Sequence, residues 1–125
     1  MPDHNLDIVL VENDASLRHA MQRMLQAAGC NVTTFCSAKT LMEQGIDQAR
    51  QCDCLVLDIC LPGISGIDLF CTLRKGGPLP PCIFITGHDS LGQRDSAIRS
   101  GASDYLLKPF TGTSLLDAIV RAAAA

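Results

Sequence analysis

The chain has no basic cluster: ten lysines and arginines are outnumbered by thirteen acidic residues, for a net charge of −3. Nucleic-acid binding relies on a phosphate-neutralising basic surface, so direct binding by these residues is not expected. No apolar run approaches the roughly 18 residues of a membrane helix. The opening Met1-Pro2-Asp3-His4-Asn5-Leu6 also lacks the basic and apolar regions of a secretory signal. Membrane insertion is therefore not expected, and a cytoplasmic location is. Paired cysteines are missing too. Cys30, Cys36, Cys52, Cys54, Cys60, Cys71 and Cys82 are odd in number and scattered, which fits reduced thiols rather than a disulfide framework. The closest pair, Cys52-x-Cys54, lacks the second pair or the histidines that a zinc site needs, and reads as small buried hydrophobes. There is no linker, no internal repeat and no low-complexity tract before Ala122 to Ala125, so residues 1–125 read as one domain.

What is present is apolar residues in short blocks. Of the 125 residues, 47% are hydrophobic and 18% charged, a composition that suits a compact fold burying roughly two thirds of its unfolded surface. Leu6 to Val11, Asn31 to Phe35, Cys54 to Leu57, Cys82 to Ile85 and Tyr105 to Leu107 are each bounded by turn residues and predict five strands. Between them, stripes at helical spacing predict five helices. The first carries Leu17, Met21, Met24, Leu25 and Ala28, with Asp14 or Ser16 as its cap. The second opens at Ser37, carries Leu41, Met42 and Ile46, and is followed by a polar bridge, Asp47 to Gln51. Ile67, Leu69, Phe70 and Leu73 mark the third. The fourth, about Ser90 to Ser100, is the least apolar. Its core candidates are Leu91, Ala97 and Ile98, and it is expected to be the most exposed and mobile. The last carries Leu115, Leu116, Ile119 and Val120, capped by Thr113 or Ser114. Strands alternating with helices in short units imply right-handed crossovers and a doubly wound parallel α/β sheet covered on both faces.

In such a sheet the carboxyl ends of the strands share one edge, where ligands bind. Leu55-Val56-Leu57-Asp58 runs into the Pro62, Gly63 and Gly66 loop, which puts Asp58 at that edge. Taken alone, Asp58 reads only slightly better as a functional carboxylate than as a turn or capping residue. Glu12 and Asn13 follow the first strand, Thr86 the fourth and Lys108 the fifth. Each has a bland explanation as a cap, a turn hydroxyl or a solvated charge, but all five gather at the same edge. Carboxylates with an amide oxygen make a hard oxygen site suited to Mg2+, and a lysine and a hydroxyl complete a phosphate cradle. Asp58 is then the nucleophile in phosphoryl transfer.

The pieces IVLVEND, LVLDICLPGISGIDL, FITGH and GASDYLLKPF, in this order and spacing, resemble the response-regulator receiver domains of two-component signalling, and the resemblance covers essentially the whole chain. It implies a (βα)5 flavodoxin-like fold with strand order 2-1-3-4-5. It also implies that Asp58 is the phosphoacceptor, that Glu12 and Asn13 form the metal corner, and that the Cys60 backbone carbonyl is a further metal ligand. Thr86 matches the hydroxyl that moves onto the phosphoryl group, Lys108 its basic partner, and Tyr105 an aromatic switch. A cis bond before Pro109 and a tuning role for Cys60 and His88 in dephosphorylation belong to the same pattern. The implied partner is a histidine kinase or phosphotransfer protein, with a possible homodimer on phosphorylation. The implied chemistry is confined to gain and loss of phosphate at Asp58. ITGH and the closing AIVRA resemble the FixJ-like branch, whose receivers precede a DNA-binding domain; none lies within these residues.

Asn13 departs from the pattern, which usually has aspartate there. An amide oxygen adds no charge, so weaker Mg2+ binding is expected, and a receiver-like interaction module that takes no phosphate is the alternative function. An aspartate-nucleophile phosphatase of haloacid-dehalogenase type would want a second aspartate where Cys60 stands.

Overall fold

The computed structural model describes residues 4–124. Residues 1–3, the first half of the start read as lacking a signal, and residue 125 lie outside the described residues of the predicted 1–125 domain. Five parallel strands, β1 (Asp7–Val11), β2 (Asn31–Phe35), β3 (Cys54–Asp58), β4 (Cys82–Thr86) and β5 (Asp104–Leu107), form one sheet in the order β2-β1-β3-β4-β5. Registers such as Val11 with Leu57 and Asp58 with Ile85 bring the strand ends level. β3 and β4 are buried along their whole length, as continuous apolar runs require.

Side chains alternate across each strand. Ile8, Leu10, Cys54, Val56, Ile83 and Ile85 pack on one face against α1 (Ala15–Ala27) and α6 (Gly112–Ala124). Val9, Val11, Leu55, Leu57, Cys82 and Phe84 pack on the other, with residues of α2 (Ala38–Gln44), α3 (Ile46–Gln51), α4 (Gly66–Lys75) and α5 (Leu91–Arg99). None of these helices is long and apolar enough to cross a membrane.

Six helices replace the five predicted, because the polar bridge Asp47 to Gln51 is itself helical. Gly45 divides α2 from α3, and a Cβ there would lie 2.2 Å from Cζ of Phe35, so the chain turns against that ring with no side chain between them. Only Ala49 of α3 is buried, too little to show as a stripe. Two of the three core candidates on α5 are also wrong: Leu91 is 80% exposed and Ile98 62%, and Ala97 alone is buried. The α6 cap is Thr111, whose Oγ1 accepts from Ser114 N at 3.0 Å, rather than Thr113 or Ser114. Asp14 and Ser37 cap α1 and α2 as expected.

One side chain joins α4 to the far end of α5. Arg74 donates to the Ser100 carbonyl at the α5 C-terminus, and its guanidinium lies 5.6 Å from the Phe70 ring centroid. Phe70 in turn meets Phe84 of β4 edge to face at 5.8 Å. The thiols of Cys52 and Cys54 donate to backbone carbonyls, and burial pushes them up to about 11 and about 12.

Candidate phosphoacceptor site

The alternation that builds the core also sorts the residues at the carboxyl edge. Glu12 and Asp58 continue the parity of Ile8, Leu10 and Val56, on the α1 and α6 side, whereas Thr86 continues that of Cys82 and Phe84, facing α4 and α5. The first group meets directly. Lys108 Nζ is 2.7 Å from Glu12 Oε1 and 3.1 Å from Asp58 Oδ2, with Glu12 1% and Asp58 3% exposed. The other Asp58 oxygen, Oδ1, accepts from Cys60 N at 3.1 Å, and Glu12 Oε2 accepts from Asp14 N at 3.0 Å. The Lys108-Pro109 bond is cis, as the resemblance implied.

The backbone around Asp58 is fixed from two sides. Ile59 N donates to Ile85 O at 2.9 Å, and Gly66 N to Ile59 O at 2.9 Å. A Cβ on Gly66 would stand 2.2 Å from the Asp58 carbonyl oxygen, so only glycine lets the start of α4 come this close.

Two buried carboxylates facing one ammonium leave an excess negative charge. Burial first, then the charge and hydrogen bond of Glu12, raise Asp58 from 3.8 to about 6, against the opposing pull of Lys108 and Cys60 N. Burial acts to lower the Lys108 ammonium, but its hydrogen bond to Glu12 and the charges of both carboxylates outweigh that and raise it. Such a corner favours an added cation. Buried oxygens of Glu12 and Asp58 suit a hard divalent ion, which takes few protein ligands and keeps several waters. Glu12 Oε1, although close to the lysine, has no hydrogen bond of good geometry. Among the described residues no three Asp, Glu, His or Cys side chains converge for a metal. Asn13 is exposed beside Glu12.

Thr86 does not join this cluster. Its Oγ1 accepts from His88 N at 3.1 Å and from Gln93 Nε2 at 3.2 Å, and donates to His88 O at 3.2 Å. Tyr105, half-buried on the same face, accepts from Gln93 at 3.0 Å and donates to Asp89 at 3.0 Å. The Cys60 and His88 side chains lie in exposed loops.

The sequence reading missed two residues. Gln93 is one, hidden as an ordinary polar residue of a poorly apolar helix. Arg18 is the other: its Nη1 donates to the carbonyls of Glu12 at 2.9 Å and Asn13 at 3.4 Å, bracing the acidic corner from α1. An arginine one turn into the helix after an acidic corner was the available signal.

A family profile described as the response regulator receiver domain matches residues 8–120. The chain belongs to that family. It is similar to nodulation protein W of Bradyrhizobium diazoefficiens, 37% identical over 92% of this chain and 50% of that protein. It is also similar to the transcriptional regulatory protein FixJ of Azorhizobium caulinodans, 31% identical over 95% of this chain and 55% of that one. The receiver thus spans about half the length of these curated relatives. Among solved structures, a receiver domain protein from Clostridium thermocellum superposes with a TM-score of 0.87 at 26% identity, covering 95% of this chain and 94% of that one. A CheY-like receiver from Methanospirillum hungatei gives a TM-score of 0.84 over 96% and 94% of the two chains, at 24% identity.

Proposed function

We propose that this receiver takes a phosphoryl group on Asp58 from a histidine kinase or phosphotransfer protein and switches its binding preference in response. The observation that carries the reading is the Asp58 carboxylate, buried at the end of the central strand with Lys108 on one oxygen and the Cys60 amide on the other. Above about pH 6 the group is ionised, as a nucleophile must be. A carboxylate oxygen attacks phosphorus, the bond to the donor histidine nitrogen breaks, and that nitrogen keeps the electron pair and later takes a proton from water. Phosphoryl transfer depends chiefly on positioning and on positive charge near the transferred oxygens. Lys108, already between the two carboxylates, supplies that charge from the protein. Glu12, Asp58, the side-chain oxygen of Asn13 and the Cys60 carbonyl would hold Mg2+. Once bound, the ion offsets the charge of the carboxylates and of the incoming phosphoryl group.

After transfer, Asp58 bears roughly one to two negative charges where one carboxylate stood. The Thr86 hydroxyl is the nearest movable donor on β4, and its engagement with the new oxygens is the event that reaches the α5 face. Output is a shift between two populations of that face. The transcriptional role of the relatives extends to this chain only as a proposal.

Incubation with acetyl phosphate tests the reading. The protein should gain the mass of one phosphoryl group, and Asp58→Asn should gain none. Absence of any Asp58-dependent gain in the wild type would reject it in favour of an interaction module that takes no phosphate.

A further inference from the structure

Strand alternation turns Thr86 and Tyr105 toward α5, where both meet one side chain. Gln93 Nε2 lies 3.2 Å from Thr86 Oγ1, 3.0 Å from Tyr105 Oη and 2.6 Å from His88 O. An amide nitrogen carries two protons, so three acceptors share two donors. Gln93 can therefore lose one acceptor and keep both protons bonded. The remaining contacts close around Tyr105. Its hydroxyl donates to Asp89 Oδ1 at 3.0 Å, Asp89 Oδ2 is paired with Arg94 at 2.8 Å, and the Arg94 guanidinium stands 5.1 Å from the ring centroid. Asp89, Gln93 and Arg94 all belong to the β4-α5 loop and the first turn of α5. Because α5 buries only Ala97, this polar cage rather than a hydrophobic face holds that end of the helix.

We infer that Gln93 is the positioning residue that couples the Thr86 hydroxyl to Tyr105 and stabilises the unphosphorylated arrangement. This rests on the phosphoacceptor reading above and adds the side chain through which the change travels. The Thr86 hydroxyl is fully engaged, donating to His88 O and accepting from His88 N and Gln93. Drawn toward Asp58, it must give up the Gln93 bond, and the released amide proton is redistributed between His88 O and Tyr105 Oη. The state of Thr86 is then felt at Tyr105 across a single amide. A switch is biased only by contacts that differ between its two states, and the Gln93 to Thr86 bond is one.

The chain has one tyrosine and no tryptophan, so intrinsic emission reports Tyr105 alone. The test titrates beryllofluoride, a phosphoryl mimic, into wild type, Gln93→Met, Gln93→Glu, Thr86→Val and the Thr86→Val/Gln93→Met pair, with magnesium salt present throughout. The wild-type emission should change on titration. Gln93→Met, of similar length but without a donor, should show part of that change before any mimic is added. Its midpoint should be about fivefold lower, equivalent to about 1 kcal/mol. Gln93→Glu, acceptor-only when ionised, should shift the same way and carries the test if the methionine variant does not fold. In the Thr86→Val background, Gln93→Met should leave the midpoint where it was. Wild-type emission and midpoint in both Gln93 variants overturn the inference while leaving the phosphoacceptor reading intact. So does an undiminished midpoint shift in the Thr86→Val background, which would mean that Gln93 acts independently of Thr86. No emission response in the wild type also overturns the inference, whereas the phosphoacceptor reading stands or falls separately on the Asp58-dependent mass gain with acetyl phosphate.

Discussion

Replacing Asp58, the proposed phosphoacceptor, should make the metal-free protein more stable. Asp58 titrates at about 6 in the folded chain against 3.8 ordinarily, chiefly because it is buried and faces Glu12. Between these values the folded state binds a proton that the unfolded state has released, so folding stability falls as pH rises. The contribution is fully present below about pH 4 and gone above about pH 6. Each pKa unit is worth about 1.36 kcal/mol, so the loss is about 3 kcal/mol at most. Asp58→Asn keeps the shape and an acceptor for Cys60 N and removes the buried charge. With chelator at pH 7.5, urea unfolding should find the variant about 2 to 3 kcal/mol more stable, a rise of roughly 6 to 12 °C in Tm. At pH 4 the two proteins should coincide, and the gap should open as pH passes from 4 to 6. Magnesium should narrow it again by stabilising the wild type. Equal stability at pH 7.5, or a gap that closes as pH rises, would refute the account of an overcharged corner.

Three further outcomes follow from the same structure. Asn13→Asp should raise Mg2+ affinity by roughly tenfold, about 1.4 kcal/mol, and lower metal-free stability by adding a third carboxylate; unchanged binding in calorimetry would show that the exposed side chain does not serve the metal. Gly66→Ala should cost about 3 kcal/mol or more, because its Cβ meets the Asp58 carbonyl oxygen at 2.2 Å and backbone must move; a denaturation midpoint within error of wild type would contradict the close approach. Thr111→Ala should cost about 1 kcal/mol through loss of the α6 cap, and Thr113→Ala very little; equal losses in thermal melts would show that the cap is misplaced.

Those parts of the fold that depend on burying long apolar runs were legible in the sequence. β3 and β4 are buried at every position, so their sequences are nearly continuous apolar blocks, and Asp58 stands out as the one charge at the end of such a block. The meeting of Glu12, Asp58 and Lys108 followed from parallel strands sharing an edge. Gln93 and Arg18 escaped reading because they act through polar side-chain contacts, which leave no hydrophobic period in the sequence. Leu91 and Ile98 were expected in the core on the assumption that α5 docks by apolar burial; its first turn is instead tied down by Gln93, Asp89 and Arg94, and both side chains stay in solvent. The same assumption hid α3, whose single buried residue, Ala49, leaves no stripe. Thr86 was grouped with Asp58 because both end strands, but the two-residue period puts them on opposite parities, a distinction that needs the exact strand phase.

The Arg74 bond to the Ser100 carbonyl anchors the carboxyl end of α5. One end of the helix is pinned to α4, which starts against Asp58, while the other rests on the Gln93 cage. A nine-residue helix is an arm of about 13 Å, so tilting it by about ten degrees about Ser100 moves its tip by about 2 Å. Leu91 would be carried nearly the full distance and Ile98 hardly any. Any tilt about the anchored end is therefore displayed as displacement of the amino-terminal tip.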